Sequence, residues 1–202
     1  MAPSKPYQPL LLRLLHGANA SIALLAVLTS LLVYIVYDHR LFNLGIPEIP
    51  RIIGIHGTFG KLLLLGIMPL FALYSFHLGE KRLIQSDTFD KLKEVGKPIW
   101  WYSLHRVANT LMLLAITFAL ITGSRIEDEW LYKKEFDQIW YNLHLISWVI
   151  LVGCLAFHLL MIARVGGVPL MLSLFDIKYR ASDSPATWLQ KIRDFFNRSS
   201  DS

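Results

Sequence analysis

The sequence predicts an all-α membrane protein: a bundle of four transmembrane helices with both termini in the cytoplasm. Three observations carry that expectation. Four apolar stretches, about residues 10–37, 52–78, 99–123 and 138–164, each exceed the ~20 residues needed to cross a hydrocarbon core. Hydrophobic residues make up 54% of the 202, and the mean hydropathy is +0.44, too apolar for an ordinary soluble domain. Lysine and arginine are shared unequally. Two of the loops hold only Arg40, Arg51, Arg125, Lys133 and Lys134, while the tails, the second loop and the adjoining helix ends hold fourteen, which places the latter in the cytoplasm.

Taken in order, the N-terminal segment MAPSKPYQP is polar and proline-rich, with no small-residue cleavage site after a short apolar core, so a removed signal peptide is not expected. The first span carries Arg13 and His16 near its start. Pro69 lies inside the second span and is expected to kink it, because proline removes a backbone donor and clashes with the preceding turn. The loop after it contains a helix-like patch, Asp87 to Val95, closed by Gly96 and Pro98. The third loop is acidic (Glu127, Asp128, Glu129, Glu135, Asp137), with Trp130 and Tyr132 interleaved. That pattern suits either a solvated face or a surface that steers a cationic partner. Trp100, Trp101, Trp130, Trp140 and Tyr141 lie near span ends, where aromatic belts belong. In the C-terminal tail, Ser184 and Pro185 read as an N-cap and first turn. Trp188, Leu189, Ile192, Phe195 and Phe196 then recur at helical spacing with Lys191, Arg193 and Arg198 between them. An amphipathic helix over about 185–197, lying on the cytoplasmic surface, is expected.

Composition also excludes. The one cysteine, Cys154, sits in an apolar span, which rules out an internal disulfide, a CxxCH haem attachment and a cysteine-ligated iron–sulfur cluster. The net charge of +5 comes from residues between spans, so membrane topology accounts for it and no nucleic-acid partner is expected.

The histidines are the chemical signal. His144 and His158 lie 14 residues apart in the fourth span. At about 100° and 1.5 Å per residue they share one helix face, separated by ~21 Å of rise. Counted from the span ends, His16 matches His158 in depth near the cytoplasm, and His56 matches His144 near the outside. Transmembrane histidines are costly unless partnered. One helix supplying two ligands, and two others one each, is an economical way to hold two non-covalent bis-histidine haems in a four-helix bundle. Gly17, Ala20, Ala23, Gly57, Gly60, Gly153 and Cys154 stand beside these positions; small residues admit a porphyrin, and equally allow close helix–helix contact or a dimer face. His105 lies at the cytoplasmic depth as a third imidazole. With Arg106 supplying charge, it suits a haem propionate or a quinone carbonyl, or else a simple interhelical hydrogen bond. His39 and His77 fall at span ends. A zinc site would need three or four converging ligands, and a proton path would be expected to use buried carboxylates, none of which the four stretches contain. A haem-free structural membrane protein with interhelical histidines is the remaining alternative.

On these residues the chain resembles the bacterial cytochrome b561 family, whose superfamily includes the cytochrome b subunits of nickel–iron hydrogenases and formate dehydrogenases. The resemblance runs from about Leu10 to Val168. It comprises Arg13-Leu14-Leu15-His16, the Ile55-His56-Gly57-Thr58-Phe59-Gly60 start of the second helix, His105 and Gly123 on the third, and His144 with His158 on the fourth. It implies a four-helix domain over residues 1–168 with two b haems, and a cytoplasmic tail over 169–202. His16 and His158 would ligate the cytoplasmic-side haem iron, His56 and His144 the outer one. Electrons would cross a bacterial plasma or photosynthetic membrane, exchanged with quinone or a protein redox partner; if the chain is itself catalytic, it would be a quinone-linked oxidoreductase. The alternative within the same fold is a haem-binding anchor subunit of a larger oxidoreductase. Two features depart from the family: Gly17 stands where tryptophan is frequent, and Leu159-Leu160-Met161 stands where small residues and another histidine are frequent.

Overall fold

The computed structural model describes residues 8–38, 40, 43–77, 79–173, 176, 178–190 and 193. Helix α1 (Leu10–Val33) continues through a π-helical turn, Tyr34–Asp38, to complete the first span. The second span is built from α2 (Ile52–Leu62), a π-helical turn at Leu63–Ile67 and α3 (Met68–His77). A single turn, α4 (Thr88–Lys91), precedes α5 (Pro98–Gly123), the third span. A short α6 (Asp128–Tyr132) leads to α7 (Ile139–Val165), the fourth span, which is followed by α8 (Gly167–Leu172). The four long helices begin and end within one residue of the expected stretches.

Local chemistry sets these boundaries. Lys97 is extended and Pro98 takes the first helical position, where its missing N–H costs nothing. Pro69 would clash with the carbonyl of Leu65 four residues earlier. The helix answers with the π turn that ends at Ile67, so the expected break is present as a widened turn. The helix-like patch after Asp87 is shorter than its sequence suggests. Only Thr88–Lys91 is helical, and Gly96 then turns the chain at φ +83°.

The spans pair as two hairpins, α1 on α2 and α5 on α7. Leu63, Leu113, Ile116, Leu120 and Leu151 fill the middle of the bundle, and Val36, Tyr37, Ile52, Ile53, Leu131 and Tyr141 close the outer end. Polar side chains Ser103, Thr122 and Ser147 are wholly buried, whereas Leu65 is 80% exposed and Val149 and Leu160 lie outward. Four long helices with outward leucine and valine and inward hydroxyls suit lipid surroundings.

At the outer end the structure corrects one expectation. A carboxylate does lie within a span: Asp38 is the last residue of the first, and its side chain has no exposure. It is tolerated because it is saturated. Arg40 grips it with Nε at 2.6 Å and Nη2 at 2.9 Å, and the Tyr141 hydroxyl donates to it at 2.7 Å. The Asp38 hydrogen bond raises the pKa of Arg40, and the guanidinium also lies over the Phe136 and Tyr141 rings.

At the cytoplasmic end the tail returns to the bundle. The Asp183 carboxylate accepts the Leu10 N–H at the start of α1, and the Lys178 carbonyl accepts from Arg13. A carboxylate on a helix N-terminus offsets both the open donor and the dipole. Asp183→Ala should lower the stability of the chain by about 0.5–2 kcal/mol. Thermal unfolding in detergent checks this, and Asp183→Asn, which keeps an acceptor oxygen, should lose less. Ser184 accepts from the Ala186 N–H at 3.4 Å, as an N-cap should, and residues 188–190 are helical. Most of the expected amphipathic helix beyond residue 190 lies outside the described residues.

The second loop is tied to α5 by charge. Asp87 pairs with Lys91 and, at 3.2 Å, with Arg106, whose Nε also donates to the Lys81 carbonyl at 3.1 Å. The Lys91 hydrogen bond, then the nearby charges of Lys91 and Arg106, hold the Asp87 carboxyl below the usual carboxylate range. A depressed folded pKa contributes stability above the unfolded pKa, and that contribution is lost as pH falls through the folded value. Asp87 should therefore titrate below an ordinary aspartate. Arg106→Ala should move its midpoint part of the way back, and NMR of the labelled side chain reads both.

Candidate functional site

Four of the histidines meet in two pairs across the bundle. His16 on α1 and His158 on α7 have ring centres 6.2 Å apart with planes at 29°. His56 on α2 and His144 on α7 have centres 6.0 Å apart with planes at 54°. A first-row metal–imidazole bond is about 2 Å, and the ring nitrogen lies about 1 Å from the ring centre, so two imidazoles on opposite sides of one metal stand roughly 6 Å apart. Both pairs have that spacing.

The outer pair is finished in detail. His56 Nδ1 lies 3.1 Å from the Ala26 carbonyl and 3.2 Å from Thr29 Oγ1. His144 Nδ1 lies 3.1 Å from the Ala119 carbonyl and 3.2 Å from Thr122 Oγ1. A carbonyl only accepts, so each Nδ1 carries the proton and each Nε2 keeps its lone pair for a metal. The rings flank a cavity of about 650 Å³, within the range of ligand pockets. Gly57 and Gly60 line it, and a Cβ at either would meet nothing within 4 Å. Two imidazoles with free Nε2 atoms, metal-ligand spacing and an open glycine cradle fit a haem.

The cytoplasmic pair is less complete. His16 packs edge-on against Phe71 at 5.8 Å. Among the described residues, the buried Nδ1 atoms of His16 and His158 have no hydrogen-bond partner. His105 stands 6.0 Å from His158, with planes at 43°, so a third imidazole does reach this level. The three do not gather as a three-ligand cation group among the described residues. Arg106 reaches instead to the second loop. His77 is exposed at the end of α3, and His39 lies outside the described residues. Gly153, read from sequence as a neighbour of the ligands, is exposed and does not line the cavity.

Sequence reasoning missed the hydroxyls Thr29 and Thr122. It noted Gly123 only as part of a family pattern. A Cβ at Gly123 would stand 2.8 Å from His144 Cε1, so this glycine gives the imidazole its place. Gly123→Ala should push the ring off the Ala119 carbonyl and lower the b-type haem bound per chain. The reduced-minus-oxidised spectrum, scaled to protein, measures the loss.

The family model for prokaryotic cytochrome b561 matches residues 7–173, a stretch that includes all four spans and both histidine pairs. No curated protein and no solved structure matches the chain. The chain is therefore a multi-pass membrane protein of the prokaryotic cytochrome b561 family, which moves electrons across a membrane on b-type haem.

Proposed function

We propose that the chain is a di-haem electron-transfer cytochrome, with His56 and His144 the axial ligands on the outer side and His16 and His158 those on the cytoplasmic side. The observation that carries this reading is the pair of imidazole separations, 6.0 and 6.2 Å, on opposite ends of one helix face. Haem supplies the one-electron couple when bound. The chain's own residues would hold it through the imidazole nitrogens of the two histidine pairs, exclude water with the leucines of the mid-bundle core, and set the spacing. Fourteen residues of α7 separate the two levels by ~21 Å. Two histidine nitrogens at each haem would leave no coordination position for oxygen, so the sites suit electron passage. Residues 1–168 would make up the di-haem domain and 169–202 its tail, of which Lys178 and Asp183 meet the start of α1.

A quinone is the partner whose chemistry suits the cytoplasmic level. His105 is an imidazole beyond the two needed for ligation. Asn19 Oδ1 and Ser103 Oγ, within three residues of His16 and His105, are buried without hydrogen-bond partners among the described residues. Imidazole and hydroxyl donors suit quinone carbonyls, and an amide oxygen suits a quinol hydroxyl.

Haem per polypeptide, measured as pyridine haemochrome on detergent-purified protein, tests the reading. Two b haems per chain are expected. One would mean that one pair does not ligate, and none in haem-replete protein would remove the redox role.

A further inference from the structure

Each hairpin carries the same local device. In the first, Ala26-Val27-Leu28-Thr29 on α1 meets His56 from α2. In the second, Ala119-Leu120-Ile121-Thr122 on α5 meets His144 from α7. In both, the alanine carbonyl and the hydroxyl of the threonine three residues later sit within 3.2 Å of the ligand's Nδ1. Each hydroxyl has a backbone carbonyl one turn back as the nearest acceptor for its own proton, and Thr122 Oγ1 also lies 3.3 Å from Ser147 Oγ. Thr29 Oγ1 lies 2.7 Å from the Leu25 carbonyl, and Thr122 Oγ1 lies 2.9 Å from the Phe118 carbonyl. With the proton committed there, each oxygen turns a lone pair toward the imidazole N–H. The sequence shows no long repeat, yet the site is built twice from one four-residue pattern.

We propose that Thr29 and Thr122 are positioning residues for the outer haem: their hydroxyls, acting with the Ala26 and Ala119 carbonyls, fix the Nδ1–H tautomer of His56 and His144 and raise the basicity of their Nε2 atoms. The proposal rests on the di-haem reading. A more basic ligand favours the ferric iron, so the hydroxyls lower the midpoint potential of the outer haem. The cytoplasmic pair provides the contrast, since its Nδ1 atoms have no such acceptors among the described residues. The effect is therefore confined to one of the two haems, and the other serves as an internal reference.

Redox titration of the full-length protein in detergent, followed in the haem b absorbance, tests the assignment. The outer component is identified by its absence in His144→Ala. Thr29→Val and Thr122→Val keep side-chain volume and remove only the hydroxyl. Each should raise the outer midpoint and leave the inner one in place, with two haems per chain retained. The double variant should shift further than either single one, and Thr→Ser at each position should return the outer midpoint toward wild type. Loss of the outer haem from the valine variants but not from the serine variants would also support a role for the hydroxyl. An unmoved outer midpoint, an equal shift of both haems, or loss from valine and serine variants alike would overturn the proposal while leaving the di-haem reading intact. A wild-type chain with fewer than two haems would overturn both.

Discussion

On the proposed di-haem reading, His144→Ala should leave one haem per chain and His158→Ala should leave the other one. These two substitutions should have the largest effect on the cofactor, because α7 supplies a ligand at each level and the levels are ~21 Å apart along the helix. Among the described residues no third imidazole stands at the outer pair, so His56→Ala should match His144→Ala. The cytoplasmic site is different. His16 and His105 both stand about one ligand pair's width from His158, at 6.2 and 6.0 Å. The depth match and the family pattern both favour His16, so His16→Ala should remove the inner haem and His105→Ala should keep it. Pyridine haemochrome, with the split of the reduced α band, reads all five variants. Loss of the inner haem from His105→Ala with retention in His16→Ala would exchange their roles.

The second large effect is on stability. Asp38→Ala removes the acceptor that the Tyr141 hydroxyl has among the described residues, on a residue that is 4% exposed. Leaving a buried hydroxyl unpaired costs about 1–3 kcal/mol. Arg40 loses a two-point grip as well, but its side chain is 42% exposed and water takes over, so its share is about 1 kcal/mol or less. A double-mutant cycle separates the terms. Tyr141→Phe in the Asp38→Ala background should cost little further, whereas in the wild type it removes one hydrogen bond. Asp38→Asn, which keeps an acceptor oxygen, should fall between wild type and alanine. Thermal unfolding of the detergent-solubilised protein gives the order. Equal melting points for wild type and Asp38→Ala would show that the cluster contributes nothing to stability.

What the sequence made legible divides along a physical line. The spans were readable to within a residue because the hydrophobic requirement of a bilayer acts on twenty residues at once. The four paired histidines were readable because helical rise and rotation convert spacing into depth and face. Asp38 was not. Its burial depends on Arg40 two residues on and Tyr141 103 residues away, and it reads in sequence as the first polar residue beyond a span. Nor were Thr29 and Thr122. A threonine in an apolar helix satisfies itself on the carbonyl four residues back, so nothing in the chain marks the two that also serve an imidazole. A departure from regular helix near Pro69 was legible because proline's missing donor is local; that it takes the form of a π turn over Leu63–Ile67 was not. The acid on the first turn of α1 lies 173 residues from the donor it caps, beyond the reach of any spacing rule.

That last contact orders events during synthesis. The first turn of α1 leaves the ribosome early, yet the carboxylate that caps it and the carbonyl that receives Arg13 come from residues 183 and 178. By the time they emerge, all four spans have been made, and His158 with them. The cytoplasmic end around His16 thus cannot acquire its finished hydrogen bonding while translation of the bundle is under way. The outer pair, whose supporting groups all lie between Ala26 and His144, is complete earlier in the chain. The two ends of the bundle thus differ in how much chain must be made before their supporting contacts can form, and Lys178 and Asp183 supply the last of them.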